Sequence, residues 1–167
     1  MLVNYSDSDV LKAEKSIFLA GPTPRDKHIE TWRKEAIEIL ESLDFNGIVY
    51  VPEDEIDERR KDYVDQADWE REALYNSTVI VFWVPRSQPD MPAFTTNVEF
   101  GYWIAKDSTK VIYGRPNNAE KIKYLDWLYI TKTGELPSNN LSELLEKAVA
   151  KTYESEKEEE WKYQKGM

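Results

Sequence analysis

Four short apolar runs, separated by segments with helical spacing, constrain the fold of this chain more than any other feature. The runs are SIFLA, GIVYV, TVIVFWV and KVIYG, and they carry β-branched and aromatic residues without regular polar alternation. A strand that is apolar on both sides must be covered on both sides, which is typical of parallel sheets with crossover helices. The pattern predicts an α/β fold: a flavodoxin-like or Rossmann-like three-layer sandwich with a central, mainly parallel sheet.

The segments between these runs have the spacing of amphipathic helices. Apolar residues recur every three or four positions across residues 29–43, and a further helix is predicted from residue 117 to about 129. Asp65 is placed to cap the helix before the third run, and Asn97 is a candidate cap for the helix after it. Strand and helix therefore alternate four times.

The chain is expected to form one domain. Residues 1–15 are polar and irregular and are predicted to be an N-terminal extension, residues 16–154 the α/β domain, and residues 155–167 a charged C-terminal tail. The nearly continuous charge of residues 54–62 predicts an exposed loop. At 167 residues the chain is long enough to bury one continuous core.

Composition excludes several classes of function. The chain has no cysteine, so disulfides, thiolate nucleophiles and cysteine-based metal sites are absent, and its N-terminus lacks the pattern of a signal peptide. We therefore expect a cytoplasmic protein that needs no metal and no other cofactor. The formal net charge of −10, without a basic stripe, argues against nucleic acid and acidic membranes as partners.

Ligands of open α/β sheets bind beyond the carboxyl ends of the strands, and three loops of this sequence are predicted to lie there. They are AGPTPR, PRSQPDMPAFTTNVE and GRPNNAE. The glycine-rich phosphate-binding motifs GxGxxG and GxxxxGK[ST] are absent. The only histidine, His28, precedes a predicted helix in a polar stretch, where a surface or capping role is more common than catalysis.

Carboxylates are the remaining catalytic candidates. Glu99 is predicted to open the helix after the third strand among mostly apolar neighbours, and Glu70 lies in the preceding helix beside Trp69. Two carboxylates that flank an anomeric carbon can carry out glycosyl transfer, because one attacks or stabilises the sugar cation while the other handles the leaving group's proton. Each glutamate also has an ordinary interpretation, as a charge near a helix start or on a solvated helix face.

The combined motifs resemble those of the nucleoside 2-deoxyribosyltransferase family, in particular its divergent branch. The resemblance rests on SIFLAGPTPR, GIVYVPE, DWEREALYNSTVIVFWVPR and TTNVEFGYWIAKDSTKVIYGRP, in this order, between residues 16 and 127. It implies that Glu99 is the nucleophile and that Glu70 positions the reactants. Two positions depart from the family pattern: Phe18 stands where a tyrosine is expected and Ala93 where an aspartate is expected, with Asp90 nearby as a substitute.

Other residues near the predicted strand ends are candidates for substrate binding. Arginines there can meet a sugar hydroxyl, a phosphate or a carboxylate, or can pair with one of the chain's 32 acidic residues. Tryptophans can stack on a nucleobase or fill the core. The candidates are Gly21, Pro22, Thr23, Arg25, Trp69, Arg86 and Asn97.

The resemblance implies transfer of a 2-deoxyribosyl group between nucleobases, by double displacement through a glycosyl-glutamate intermediate. Its partners would be a nucleoside or nucleotide and a free base. Two alternatives stay open: hydrolysis of the N-glycosidic bond, with water as acceptor, and a non-catalytic module that binds nucleotide-like ligands. The family's members are commonly homo-oligomers, and the 13% aromatic content fits an aromatic interface.

Overall fold

The computed structural model describes residues 1–26, 28–55 and 62–164, with side chains described up to residue 155. The strands are β1 Leu2–Tyr5, β2 Ser16–Ala20, β3 Ile48–Val51, β4 Val79–Trp83 and β5 Val111–Gly114. The helices are α1 Trp32–Ser42, α2 Tyr63–Asn76, α3 Phe94–Lys106, α4 Lys123–Thr133 and α5 Leu141–Gln164, with a short 3₁₀ turn at Ser108–Lys110.

The five strands form one parallel sheet in the order β1-β3-β2-β4-β5. The chain leaves β2 toward β3 on one side and later returns to place β4 on the other side. The carboxyl ends of β2 and β4 therefore border a topological switch point, where the loops diverge and leave room for a ligand. The predicted three-layer α/β fold is confirmed.

Alternate residues of each strand point to opposite sides of the sheet and enter two separate cores. In β2, Phe18 belongs to the core beneath α2, α3 and α4, whereas Ile17 and Leu19 belong to the core beneath α1 and α5. Every residue of β2, β3, β4 and β5 is buried. Because both sides are covered, the strands read as apolar runs without alternation.

The N-terminal segment differs from its prediction. Residues 2–5 form strand β1, which pairs with β3 at one edge of the sheet, so this part of the chain is not irregular. Only Asn4 of this strand is fully buried. An edge strand packs little apolar surface, which is why its sequence carries no strong strand pattern.

Several helix boundaries also differ from their predictions. The helix predicted from residue 29 begins at Trp32, after an N-cap at Thr31, and that predicted from residue 117 begins at Lys123. Asp65 does not cap α2, because Asp62 is the N-cap and its carboxylate accepts a hydrogen bond from the Val64 N–H at 2.9 Å.

The C-terminal helix α5 continues to Gln164, past the start of the predicted charged tail at residue 155, whose last three residues lie outside the described part of the chain. The predicted charged loop at 54–62 also lies partly outside it, at residues 56–61. Among the described helices, none combines the length and apolar character needed to cross a membrane.

Candidate active site at the carboxyl edge of the sheet

A cavity of about 760 Å³ opens at the carboxyl edge of the sheet, between the β2 loop, α2 and the start of α3. Phe18 and Ala20 of β2 line it, together with the predicted residues Gly21, Pro22, Thr23 and Arg25. Glu70 reaches it from α2 and Glu99 from α3. The structure therefore brings together six of the ten predicted site residues.

Gly21 is required by the backbone geometry of the β2 loop. Its φ is +154°, and a Cβ added there would lie 2.1 Å from the carbonyl oxygen of Trp83 at the end of β4. Only glycine allows the two strand ends to approach this closely. The close approach fixes the floor of the cavity at the switch point.

Glu99 lies in the second turn of α3, not in its first turn as predicted. The helix starts five residues earlier, at Phe94, and its N-cap is Ala93 in the left-handed conformation, with φ 57°. Asn97 is therefore inside the first turns and is not the cap. Glu99 lines the cavity together with Trp103, which lies one helical turn further along α3, and with Glu70 of α2.

The carboxyl groups of Glu70 and Glu99 are neighbours joined by a hydrogen bond. Burial raises the pKa of Glu99, the charge and hydrogen bond of Glu70 raise it further, and the positive charge of Arg33 opposes both, so that the pKa reaches about 8. The Glu99 carboxyl group thus keeps its proton at pH 7 and donates it to Glu70 in the hydrogen bond. Gln66 holds the other member of the pair, since its side-chain amide donates to Glu70 Oε1 at 2.8 Å.

Arg33 is a buried cation beneath the cavity that the sequence reasoning missed. Its side chain is 1% exposed and forms an ion pair with Glu53 at 2.6 Å. It also donates to the carbonyl oxygens of Leu19 and Gly21, at 2.9 and 2.7 Å, and to the Thr23 hydroxyl at 3.1 Å. Arg33 therefore ties the β2 loop to α1. Arg33 belongs to a predicted amphipathic helix, and a basic residue in such a helix is expected on the solvated side. The sequence therefore did not mark Arg33 as a residue of the site.

Two tyrosines at the mouth of the cavity were also missed. The hydroxyl groups of Tyr75 on α2 and Tyr102 on α3 lie 2.5 Å apart, and Lys106 Nζ donates to the Tyr75 hydroxyl at 2.6 Å. This hydrogen bond from Lys106 lowers the pKa of Tyr75. Both rings line the cavity and are partly exposed, so they offer flat surfaces suited to a planar ligand.

The other four predicted site residues do not line this cavity. Trp69 packs against Phe18 and Tyr50, with ring centroids 6.4 Å away in each case, and its indole N–H donates to the Ser8 carbonyl at 2.8 Å. It is therefore a core residue that fastens the N-terminal segment to α2. The GRPNNAE loop, predicted to lie at the same edge, contributes no lining residue either.

Arg86 and Asn97 hydrogen-bond to each other, and Arg86 Nη1 also donates to the Lys121 carbonyl at 2.7 Å. These two side chains therefore join three segments: the loop after β4, the helix α3 and the loop before α4. Asp90 lies in the loop between β4 and α3, where its carbonyl oxygen accepts from the Arg25 N–H at 3.0 Å. Asp90 is not among the residues that line the cavity, and its role as a substitute for the aspartate that Ala93 replaces stays a prediction. The exposed His28 is likewise outside the cavity lining.

Among the described residues, no group of three or more histidine, aspartate or glutamate side chains is arranged to hold a metal ion. The lining side chains supply several kinds of chemical group to the cavity. They offer one carboxyl proton, one carboxylate, aromatic surfaces and arginine charges.

Fold and site together define a doubly wound α/β protein with a carboxylate pair in a cavity at its switch point. A family model described as nucleoside 2-deoxyribosyltransferase like matches residues 14–117, which is more than half of the chain. The chain belongs to this family, and the resemblance predicted from the motifs is confirmed. A search of curated proteins gave no match.

Proposed function

We propose that the protein transfers a 2-deoxyribosyl group from one nucleobase to another, through a covalent intermediate on Glu99. The observation that carries this proposal is the hydrogen-bonded pair of Glu70 and Glu99, which holds a proton at neutral pH inside the cavity. A retaining glycosyl transfer needs one carboxylate as nucleophile and one proton for the leaving group, and this pair supplies both.

In the first half-reaction, the proton shared by the pair moves to the Glu70 side and from there to a ring nitrogen of the departing base. The N-glycosidic bond breaks, and an ionised oxygen of Glu99 forms a bond to C1′ on the opposite face of the sugar. The base leaves in its neutral form. Both pair members then lack the proton, and one of them carries the sugar as an ester.

In the second half-reaction, a new base occupies the space that the first base vacated. Its ring nitrogen attacks C1′, its N–H proton passes to Glu70, and the ester bond to Glu99 breaks. The product is a new nucleoside with the original configuration, and the pair again holds one proton. In this proposal Tyr75 and Tyr102, which line the cavity, stack on the departing and the incoming base.

A base-exchange assay tests this proposal. The protein is incubated with a panel of 2′-deoxynucleosides and their monophosphates, with and without a second free base, and products are identified by mass. Transfer predicts a new glycosylated base only when an acceptor is present. Free deoxyribose released equally with and without acceptor would instead establish hydrolysis, and ligand binding without any product would indicate a non-catalytic module.

Replacing Glu99 tests whether it is the nucleophile. Glu99→Gln preserves size and hydrogen bonding but removes the charge, so we expect turnover to fall by several orders of magnitude. Glu72→Gln, on the exposed side of α2, is the matched control and should keep full activity. With a slow 2-fluoro sugar substrate, the wild type should gain the mass of one glycosyl group. A Glu99→Gln protein with normal turnover would contradict the proposed mechanism.

A further inference from the structure

The N-terminus of α3 faces the cavity without a cap. Five consecutive residues, 92–96, line the cavity. No side chain caps this helix, and its first internal hydrogen bond runs from the Asn97 N–H to the Ala93 carbonyl at 3.1 Å. The N–H groups of Phe94, Thr95 and Thr96 therefore have no partner within the helix. Such unpaired donors, at the positive end of the helix dipole, favour an anion.

The hydroxyl group of Thr96 is a second, independent observation at the same place. The Thr96 residue is only 4% exposed and lines the cavity. Its hydroxyl makes no hydrogen bond to any other residue in the described ranges 1–26, 28–55 and 62–164. Because Thr96 lines the cavity, a ligand there could accept or donate the hydrogen bond that this hydroxyl lacks within the described protein.

Arg25 adds a positive charge beside the helix start. Its guanidinium lies 5.9 Å from the centroid of the Phe94 ring, and it takes part in none of the ion pairs found among the described residues. Three arginines and two glutamates line the cavity, and one of the glutamates is protonated at pH 7. Of these arginines, Arg33 pairs with Glu53 and Arg71 with Asp68, so that among the described residues Arg25 is the cavity arginine without an ion-pair partner.

We propose that the start of α3, the Thr96 hydroxyl and Arg25 bind a phosphate monoester, so that the preferred substrate is a 2′-deoxynucleoside 5′-monophosphate. This inference rests on the proposed function, because it places C1′ of the sugar at Glu99. Thr96 and Glu99 are separated by about 4.5 Å along the helix axis, which is close to one turn. A sugar ring and one methylene group, which separate C1′ from the phosphate, span this interval.

The orientation of α3 suits the negative charges of the proposed complex. The phosphate lies at the positive end of α3, whereas the carboxylate pair lies a turn further along the helix and keeps its single negative charge away from it. Thr96 and Glu99 are three residues apart, so both side chains face the same cavity. One helix would therefore hold both the anionic group and the reacting carbon of the substrate.

The test compares each 2′-deoxynucleoside 5′-monophosphate with its parent nucleoside by kcat/KM. Wild type should prefer the monophosphate at least about tenfold. Thr96→Val keeps the shape and removes the hydroxyl, and Arg25→Gln removes the charge at an exposed site; each should lower this preference about tenfold. Lys132→Gln, which removes one charge from α4 outside the cavity, is the control and should leave the preference unchanged.

Binding measured by calorimetry separates this inference from the proposed function. The probes are 2-deoxyribose 5-phosphate and 2-deoxyribose, which require no turnover. Tighter binding of the phosphate, weakened by Thr96→Val and Arg25→Gln, supports the anion site even if no substrate reacts. Equal binding of the two sugars, or a wild type that uses nucleosides and monophosphates equally well, would overturn the inference while leaving transfer between nucleosides intact.

Discussion

Replacing Glu99 with glutamine should stabilise the protein at alkaline pH while it removes activity. The physical reason is the raised pKa of Glu99, which burial and the neighbouring Glu70 carboxylate shift to about 8 from an ordinary value of 4.5. Between these two values the unfolded chain has lost the proton and the folded protein still holds it. Because the folded state binds more protons there, its stability falls as pH rises from about 4.5 to 8.

The size of this effect follows from the difference between the pKa of Glu99 in the folded protein and its ordinary pKa. They differ by about 3.5 pH units, and each unit corresponds to about 1.4 kcal/mol, which gives an upper limit of about 5 kcal/mol. Glu99 lines an open cavity, where water screens part of the penalty. We therefore expect Glu99 to cost the folded state about 2–3 kcal/mol at pH 9 relative to pH 4.

Urea denaturation of wild type and the Glu99→Gln variant at pH values from 4 to 9 measures this directly. The difference in free energy of unfolding should be small at pH 4, grow in favour of the variant up to about pH 8, and stay constant above it. Glutamine can still hydrogen-bond to Glu70 but has no proton to lose. A difference that is the same at every pH would refute the proposed burial and charge repulsion at Glu99.

Three further outcomes are expected. Arg33→Met should destabilise the fold by about 3 kcal/mol in urea denaturation, because it leaves the partly buried Glu53 without its cation. The proposed mechanism needs the proton of the carboxyl pair, so activity should fall as pH rises past the Glu99 pKa of about 8; since Arg33 lowers this pKa, Arg33→Met should shift the fall to higher pH, and an unchanged pH profile would count against this contact. Gly21→Ala should cost at least about 2 kcal/mol by thermal unfolding, because its Cβ would meet the Trp83 carbonyl; wild-type stability would show that the loop relaxes freely. By light scattering the protein should be larger than 19.6 kDa, and a monomer at all concentrations would contradict the predicted oligomer.

The layered fold could be predicted because the burial of its strands determines which residue types they contain. Strands β2 to β5 are covered on both sides by helices, and this burial requires the apolar runs from which the sheet was inferred. The edge strand β1 escaped prediction because it is largely exposed and is held by backbone pairing to β3, which leaves little trace in residue type. Helix starts shifted by three to six residues because caps depend on local backbone geometry, as Ala93 in its left-handed conformation shows.

The sequence by itself determined the family and the layered fold, and it singled out Glu99 as the proposed nucleophile. Glu99 stands out because an acid among apolar neighbours is costly unless it has a role. Glu70 followed from its place in the helix before the third strand and from the family motifs, and the glycine-proline turn followed from its position after a strand. Only the tertiary structure decided which side chains meet. Arg33 lies beneath the cavity, and Trp69 and Arg86 serve the core and a loop contact, because residues distant in sequence converge where the parallel strands end. Likewise, the charge of Glu99 depends on burial and on Glu70, which are properties of the packed cavity and not of either residue alone.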